Sequence, residues 1–390
     1  MNNVDNIAIL HKGEDIEGGA ERVAWEIQRT VNAPLYVGFR NENVEPSDIT
    51  DVTELFSGPL SQFSIKKGGP LRELAYLYNW MTSFSPIKDI RKYDIVIGSG
   101  LETLLYCGPD SQSQIQYVHH TGRRYTDLLY KWPDNFRGRA GRMYSVLLRL
   151  LTNEAVNRPD IFVCNSEIIA HRVKKYWNID RDKIRVVYPP VPTHEFSRHT
   201  ESTGEFYLTI SRLEPHKRIG EIIDVFNQLP NKSLKIAGDG PEDHSLQAKS
   251  SSNIDFLGFV SESEKQSLLA KAKGFVYNAE NEDFGIAPVE ALASGTPVLG
   301  VKEGMTQFQI VDGKNGYRFE REGKPSLFDA VQNFEKKGIK WSESEIEQFA
   351  ERFSVDEFRS GIRAVISEVQ DKPNIRPDWY PTKKDIDGGD

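Results

Sequence analysis

Residues 281–295 read NEDFGIAPVEALASG. Glu282 and Glu290 stand eight positions apart, with Phe284, Gly285 and Pro288 between them. Pro288 suits the first position of a helix, where its missing N–H costs nothing, and Gly295 suits the end. The stretch Phe284–Gly285–Ile286–Ala287 is then the turn entering that helix. Its unpaired N–H groups and the helix dipole form an anion site suited to phosphate. Two carboxylates would repel phosphate, but they accept hydrogen bonds from hydroxyls. A ligand carrying a sugar on one side of a diphosphate and a ribose on the other would use both. Glu282 is expected just before the turn and Glu290 within the first helical turn. The plainer alternative is a solvated loop acid and a first-turn glutamate favoured by the dipole.

Other residues offer matching chemistry. In SRLEPHKR (211–218), Arg212 and Lys217 sit after an apolar run and before a helical one. Cations there can neutralise a diphosphate, or simply form surface charge. IAGDGPE (236–242) sets Gly238 and Gly240 in a turn after another apolar run, and GGAER (18–22) does the same with Gly18 and Gly19 near the N-terminus. Neither has the G-x-G-x-x-G spacing of a dinucleotide site, and KGEDIEGG is too long and acidic for a P-loop. IQYVHHTGRRY (115–125) ends an apolar run on His119 and His120, either a polar contact near a reacting sugar or a structural histidine. Asp180–Arg181–Asp182 and Asp385–Ile386–Asp387 are the two D-x-D triplets, neither at the end of an apolar run, and they read as surface acids. Zinc spacing and a G-x-S-x-G elbow are absent.

The elements that must position these residues alternate. NIAIL, PLYVGF, DIVIGS, IQYVH and IFVCN in the first half are short apolar runs suited to buried parallel strands. FYLTI, SLKIAG, IDFLG, GFVYN and PVLG repeat the plan in the second half. Strands alternating with helices predict two α/β Rossmann-like domains. The prolines of VVYPPVP (186–192) forbid a helix. The expected division is an N-terminal domain over 1–192, a C-terminal domain over 193–369, and a polar tail over 370–390, either disordered or a strap. The tail follows a helix, SVDEFRSGIRAVISEV, that opens on Ser354 as N-cap. Ligands of such sheets bind at the carboxyl ends of the strands, so two of them facing each other would line a cleft.

The chain has 390 residues, 27% of them charged, and a net charge of -8, which excludes the overall basic character of a nucleic-acid binder. Cys107 and Cys164 are its two cysteines, each beside an apolar run, and read as buried free thiols. The N-terminus lacks a signal-peptide core, and no segment holds the ~18 apolar residues of a membrane span. The expected compartment is the cytosol. One stretch departs from the acidic balance. Arg123, Arg124, Lys131, Arg137, Arg139, Arg142 and Arg149 lie among tyrosines and leucines in 123–149. Such a stretch is either a solvated helix with one buried side or a peripheral contact with the inner face of an anionic membrane.

Taken together and in this order, the motifs resemble glycosyltransferase family 4, the retaining GT-B nucleotide-sugar transferases. The E-x7-E element looks like Glu282 to Glu290, the diphosphate element like Arg212 and Lys217, and the glycine turns like Gly238–Gly240 and Gly18–Gly19. SRLEPHKRI, NIDFLGFVSESE and CNSEIIAHRVKKYW…VVYPPV look most like a branch containing mannosyltransferases that build surface polysaccharides. The resemblance implies a GT-B fold, with Glu290 on the ribose, and with Glu282 and the backbone of Phe284, Gly285, Ile286 and Ala287 on the hexose and distal phosphate. It implies Arg212 and Lys217 on the leaving diphosphate in place of a metal, no cofactor, and His119 or His120 near the anomeric carbon. The donor would be GDP-mannose or, next, UDP-glucose, and the acceptor a glycan or polyprenyl-linked sugar. The chain departs from the family pattern at KEGMTQFQIVDG (302–313), where two adjacent glycines and a glutamate are usual.

Rival readings remain distinguishable. A sugar-nucleotide epimerase on the same plan would form product without acceptor. A phosphorylase would need a pyridoxal lysine. A glycosidase with paired carboxylates would not bind a nucleoside diphosphate. A catalytically dead scaffold would not need Glu282, Glu290, Arg212 and Lys217 intact.

Overall fold

The computed structural model describes residues 6–13, 18–41, 45–55, 87–122, 136–196 and 204–371. They fall into two compact units, one running to Tyr188 and taking in the chain again from Arg359, the other spanning Pro189–Phe358.

The first unit is built on strands β1 Ile7–His11, β2 Leu35–Val37, β3 Val52–Glu54, β4 Ile95–Ser99, β5 Ser113–Val118, β6 Ile161–Cys164 and β7 Ile184–Val186. All are parallel, in the order β3-β2-β1-β4-β5-β6-β7. Ile9 lies opposite Ile97, Ile97 opposite Ile115 and Ile115 opposite Ile161, so one row of β-branched side chains crosses the sheet. Burial on both faces is why these strands read as unbroken apolar runs. Helices α1 Gly19–Val31, α2 Phe136–Ala155 and α3 Glu167–Trp177 accompany the sheet.

The second unit repeats the plan. Strands β8 Phe206–Ile210, β9 Ser233–Ala237, β10 Ile254–Gly258, β11 Gly274–Tyr277, β12 Val298–Val301 and β13 Gly316–Phe319 form a parallel sheet in the order β10-β9-β8-β11-β12-β13. Helices α4 Ile219–Phe226, α5 Asp243–Ala248, α6 Glu262–Lys271, α7 Ile286–Ala293, α8 Thr306–Gln309, α9 Leu327–Lys337 and α10 Glu343–Ala350 connect and follow the strands. Tyr207, Phe226 and Phe334 pack edge to face at the core. In both sheets the strand order reverses, at β1/β4 and at β8/β11. That is where ligands of open α/β sheets bind.

The last helix, α11 Val355–Asp371, starts after Ser354, whose Oγ accepts from Glu357 N as expected of an N-cap. From Arg359 it belongs with the first unit, whereas the sequence led us to keep 193–369 together. Arg359 Nε donates to Glu26 at 2.6 Å, Arg185 Nε donates to Glu368 at 2.8 Å, and Gly361 lies against Val187. Cys164 is buried, but Cys107 is exposed, a correction to the expectation of two buried thiols. The core position there is taken by Tyr106, which leaves its neighbour facing outward. No helix among the described residues is long and apolar enough to cross a membrane. Residues 123–135 of the basic stretch and most of the tail (372–390), including Asp385 and Asp387, lie outside the described residues.

Candidate functional site

In the second unit the site grows from the ends of β8 and β11. After Tyr277 the chain loops through Glu282 to Gly285, which is the N-cap of α7 at φ 80°, ψ 88°. Only glycine adopts that backbone cheaply. The helix opens at Ile286, two residues before Pro288, so proline is not its first residue as the sequence led us to expect. Glu290 therefore sits past the first turn, and it is buried. Gly295 ends the helix as expected, at φ 68°.

The two carboxylates have separate partners. Lys217 Nζ lies 2.6 Å from Glu282 Oε2, and the Tyr277 hydroxyl donates to the same oxygen at 2.8 Å. Burial by itself would push the Glu282 carboxyl up. The Lys217 charge, the hydrogen bonds from Lys217 and Tyr277, and His216 together outweigh it and hold the group below its ordinary value. Burial, then the Glu282 charge, pushes the Tyr277 phenol well up, so it stays a donor. Glu290 Oε1 pairs with Lys265 Nζ at 2.8 Å, and Lys265 also lies over the Phe196 ring.

Lys217 closes the turn Pro215–Lys217 that follows β8, and Glu280 N donates to His216 O at 2.8 Å, tying this turn to the Glu282 loop. Arg212 stays exposed and pairs with Glu214 at 3.0 Å. Gly238 and Gly240 abut the backbone of Ser211 and Leu213. A Cβ on Gly238 would stand 1.9 Å from Ser211 O. Their glycine character is thus explained by packing the β9 turn against the Arg212 loop.

Behind the turn, Gln309 Nε2 donates to the carbonyls of Phe284 and Gly285, at 2.8 and 3.1 Å. Gln309 thus ties the stretch 302–313, where the chain departs from the family pattern, to the turn that opens α7. Arg321 bonds Glu303, Glu221 and Asn278, bracing the same loops.

In the first unit Gly18 caps α1 and Gly19 is its first residue. His11 ends β1, Ser99 ends β4, and His119 follows β5. Ser99 Oγ lies 2.9 Å from His119 Nε2 and 3.2 Å from His11 Nδ1. His11 Nε2 is 3.8 Å from Glu21 of α1. Burial first, and then the nearby Lys12 charge, drives His119 well below the ordinary imidazole range, so it is neutral at neutral pH. His120 is exposed and its Nδ1 accepts from Gly122 N. Of the two histidines, His119 joins a polar cluster at the strand ends and His120 does not.

Lys265, Tyr277, Gln309, His11, Ser99 and Glu21 join these clusters without having been singled out in the sequence. Tyr277 and His11 end apolar runs, which was a usable signal. Lys265 and Gln309 carried none.

Two family models match this chain in tandem, Glycosyltransferase Family 4 over residues 18–195 and Glycosyl transferases group 1 over residues 191–352. The chain belongs to the group 1 glycosyl transferases. Its relatives include mannosyltransferases. It is 25% identical over 296 residues to Alpha-1,3/1,6-mannosyltransferase alg2 of Schizosaccharomyces pombe, covering 61% of this chain and 58% of that protein. It is 28% identical over 177 residues to O-antigen chain mannosyltransferase RfbU of Salmonella typhimurium, covering 44% of this chain and 48% of that one. The matches thus span about half of each relative. The structure of HepE from Anabaena in complex with UDP superposes with a TM-score of 0.68 at 17% identity, over 93% of this chain and all of that one. At that identity the likeness establishes the fold, the two-domain α/β GT-B plan.

Proposed function

We propose that the protein is a hexosyltransferase that moves a sugar from a nucleoside diphosphate donor, with retention at the anomeric carbon. The observation that carries this reading is the Lys217–Glu282–Tyr277 cluster at the β8/β11 switch point, beside the α7 N-terminus. A diphosphate arriving at the helix start offers Lys217 a second anionic partner. As Lys217 turns toward it, Glu282 becomes free to accept from sugar hydroxyls, with Tyr277 still donating to it. Arg212, exposed on the neighbouring loop, adds a second cation to the leaving group. Glu290, paired with Lys265, takes the ribose hydroxyls, and His119 is the first unit's group for a sugar hydroxyl. In this reading the cations replace a metal.

Mannose is the proposed sugar and GDP-mannose the donor, supported by the naming of alg2 and RfbU as mannosyltransferases. UDP-glucose is the alternative, supported by HepE having been solved with UDP and with UDP-glucose. The acceptor is proposed to be a glycan or polyprenyl-linked sugar of a surface polysaccharide. Calorimetry with GDP and UDP, then transfer assays with and without EDTA and NMR of the product's anomeric proton, test each part. GDP binding, transfer that survives EDTA, and an α-linked product are expected. Silent GDP with tight UDP removes mannose, a β-linked product removes retention, and product formed without acceptor turns the reading to an epimerase.

The same reading places the first unit on a membrane. Met143, Val146 and Leu150 of α2 are 75%, 54% and 60% exposed at helical spacing, with Arg139 and Arg149 exposed on the same helix. Flotation with anionic vesicles at low salt should recover the protein, and Met143→Glu with Leu150→Glu should abolish it. Equal flotation of the double variant would remove the membrane contact.

A further inference from the structure

The cluster Glu21, His11, Ser99 and His119 contains four polar groups in one line, three of them fully buried. We propose that this line fixes the tautomer of His119, so that its Nδ1 is presented as a hydrogen-bond acceptor. This inference rests on the reading of His119 as the group that meets a sugar hydroxyl.

The polarity follows from donors and acceptors alone. Glu21 is ionised. Burial would raise its carboxyl, but the neighbouring His11 ring and the Lys12 charge, Nζ at 3.4 Å, hold it below the ordinary value. An ionised carboxylate only accepts. His11 Nε2 is buried, finds no hydrogen-bond partner among the described residues, and faces Glu21 Oε1 at 3.8 Å. In its neutral form His11 carries one proton, and that proton sits on Nε2, because a lone pair aimed at the carboxylate is repelled and an N–H aimed at it is attracted. His11 Nδ1 then carries a lone pair and can only accept from Ser99 Oγ, 3.2 Å away. The single hydroxyl proton of Ser99 is committed to His11, so Ser99 Oγ must accept from its other neighbour, His119 Nε2, at 2.9 Å. A neutral imidazole has one N–H. With it spent on Ser99, His119 Nδ1 is left basic.

The remaining surroundings do not reverse this order. Tyr117 faces the His119 ring at 5.0 Å, and its hydroxyl is spent on Val187 O. Asn165 Nδ2 donates to the His119 carbonyl and not to its ring. His120 is turned to Gly122 N. Burial keeps His119 neutral, so its second nitrogen is not protonated in solution at neutral pH. A hydroxyl meeting this histidine therefore donates to it. A carbonyl or phosphate oxygen finds no donor there, which favours a sugar hydroxyl over the diphosphate as its partner.

Long-range proton–nitrogen NMR of the full chain, labelled at histidine nitrogen, reads the tautomer directly, with His119→Gln assigning the resonance. In the wild type, His119 Nε2 should be pyrrole-like and Nδ1 pyridine-like. Ser99→Ala should erase that preference. Glu21→Gln should mix the two forms, since an amide can donate to His11 and reverse the line. Both variants should lose about tenfold in kcat/KM, the scale of one hydrogen bond. A wild-type His119 protonated on Nδ1, or a spectrum unchanged in Ser99→Ala, overturns the proposal. The wild-type spectrum decides even if a variant fails to fold. Unaltered transfer by His119→Ala overturns the sugar contact on which the inference rests, and the spectrum distinguishes that failure from failure of the line.

Discussion

At the scale of single residues, the decisive fact is that the cation and carboxylate assigned to different parts of one ligand meet each other. Glu282 and Glu290 were legible as a pair because their spacing around a glycine and a proline has few other uses. Lys217 and Glu282 were legible separately but not as partners, since 65 residues and three strands separate them, and only the adjacency of β8 and β11 brings them to 2.6 Å. The pair makes a prediction. Lys217→Met should lower kcat by on the order of a hundredfold or more, the usual loss for one preorganised electrostatic stabiliser. It should also raise the Glu282 carboxyl pKa, because burial is then opposed only by Tyr277 and His216. Carbon NMR of labelled glutamate follows the titration while steady-state kinetics follows the rate. A variant with wild-type turnover would show that Lys217 serves only the ion pair.

At the scale of elements, the buried strands and the edge strand β10 were legible, and β3, β7 and β13 were not. β1, β4, β5, β6, β8, β9, β11 and β12 are apolar runs because covering helices hide both faces. β3, β7 and β13 have three or four residues with half-exposed positions, and each stands at the end of its sheet. Val52–Thr53–Glu54 looks like loop because an edge strand needs little apolar surface. The start of α7 was misplaced for a related reason. Proline tolerates any position in the first turn, so Pro288 marked the turn but not its first residue. What holds that start is Gln309, whose amide pins the two carbonyls that precede and form the N-cap. Gln309→Met keeps the volume and removes both donors. Two buried carbonyls then lose a partner, which costs about 1–3 kcal/mol each where nothing replaces it. The melting temperature should fall, and calorimetry should show weaker binding of the nucleoside diphosphate, since the N–H groups of the turn lose their aim. Unchanged nucleotide affinity in a destabilised Gln309→Met protein would assign Gln309 to stability alone.

At the scale of the whole molecule, the two-unit plan was legible from the repeated strand–loop–helix order, but the return of the last helix was not. Arg359 and Glu368 look like ordinary surface charges, and only their partners Glu26 and Arg185, far back in the chain, give them a side. The second unit has its own long-range clamp, and it carries a pH signature. Glu335 of α9 accepts from Tyr207 of β8 at 2.6 Å, and also pairs with Lys232 just before β9 and Lys273 just before β11. One carboxylate thereby fastens the entry ends of three strands to a helix. Burial would raise its pKa, but the bonds from Lys232, Tyr207 and Lys273 dominate together and bring it from 4.5 to about 2. Because the folded value is depressed, the linked stability is fully present above the unfolded value of 4.5. It is lost as pH falls from there through about 2, where both states bind the proton. Glu335→Gln keeps the shape and removes the charge, so the variant should melt below the wild type at neutral pH. The gap should narrow as pH drops below the unfolded carboxylate value and vanish near the folded one. Melting curves of both proteins across that range provide the check. A gap that stays constant with pH would mean that Glu335 acts through packing and hydrogen bonding, with its charge contributing nothing.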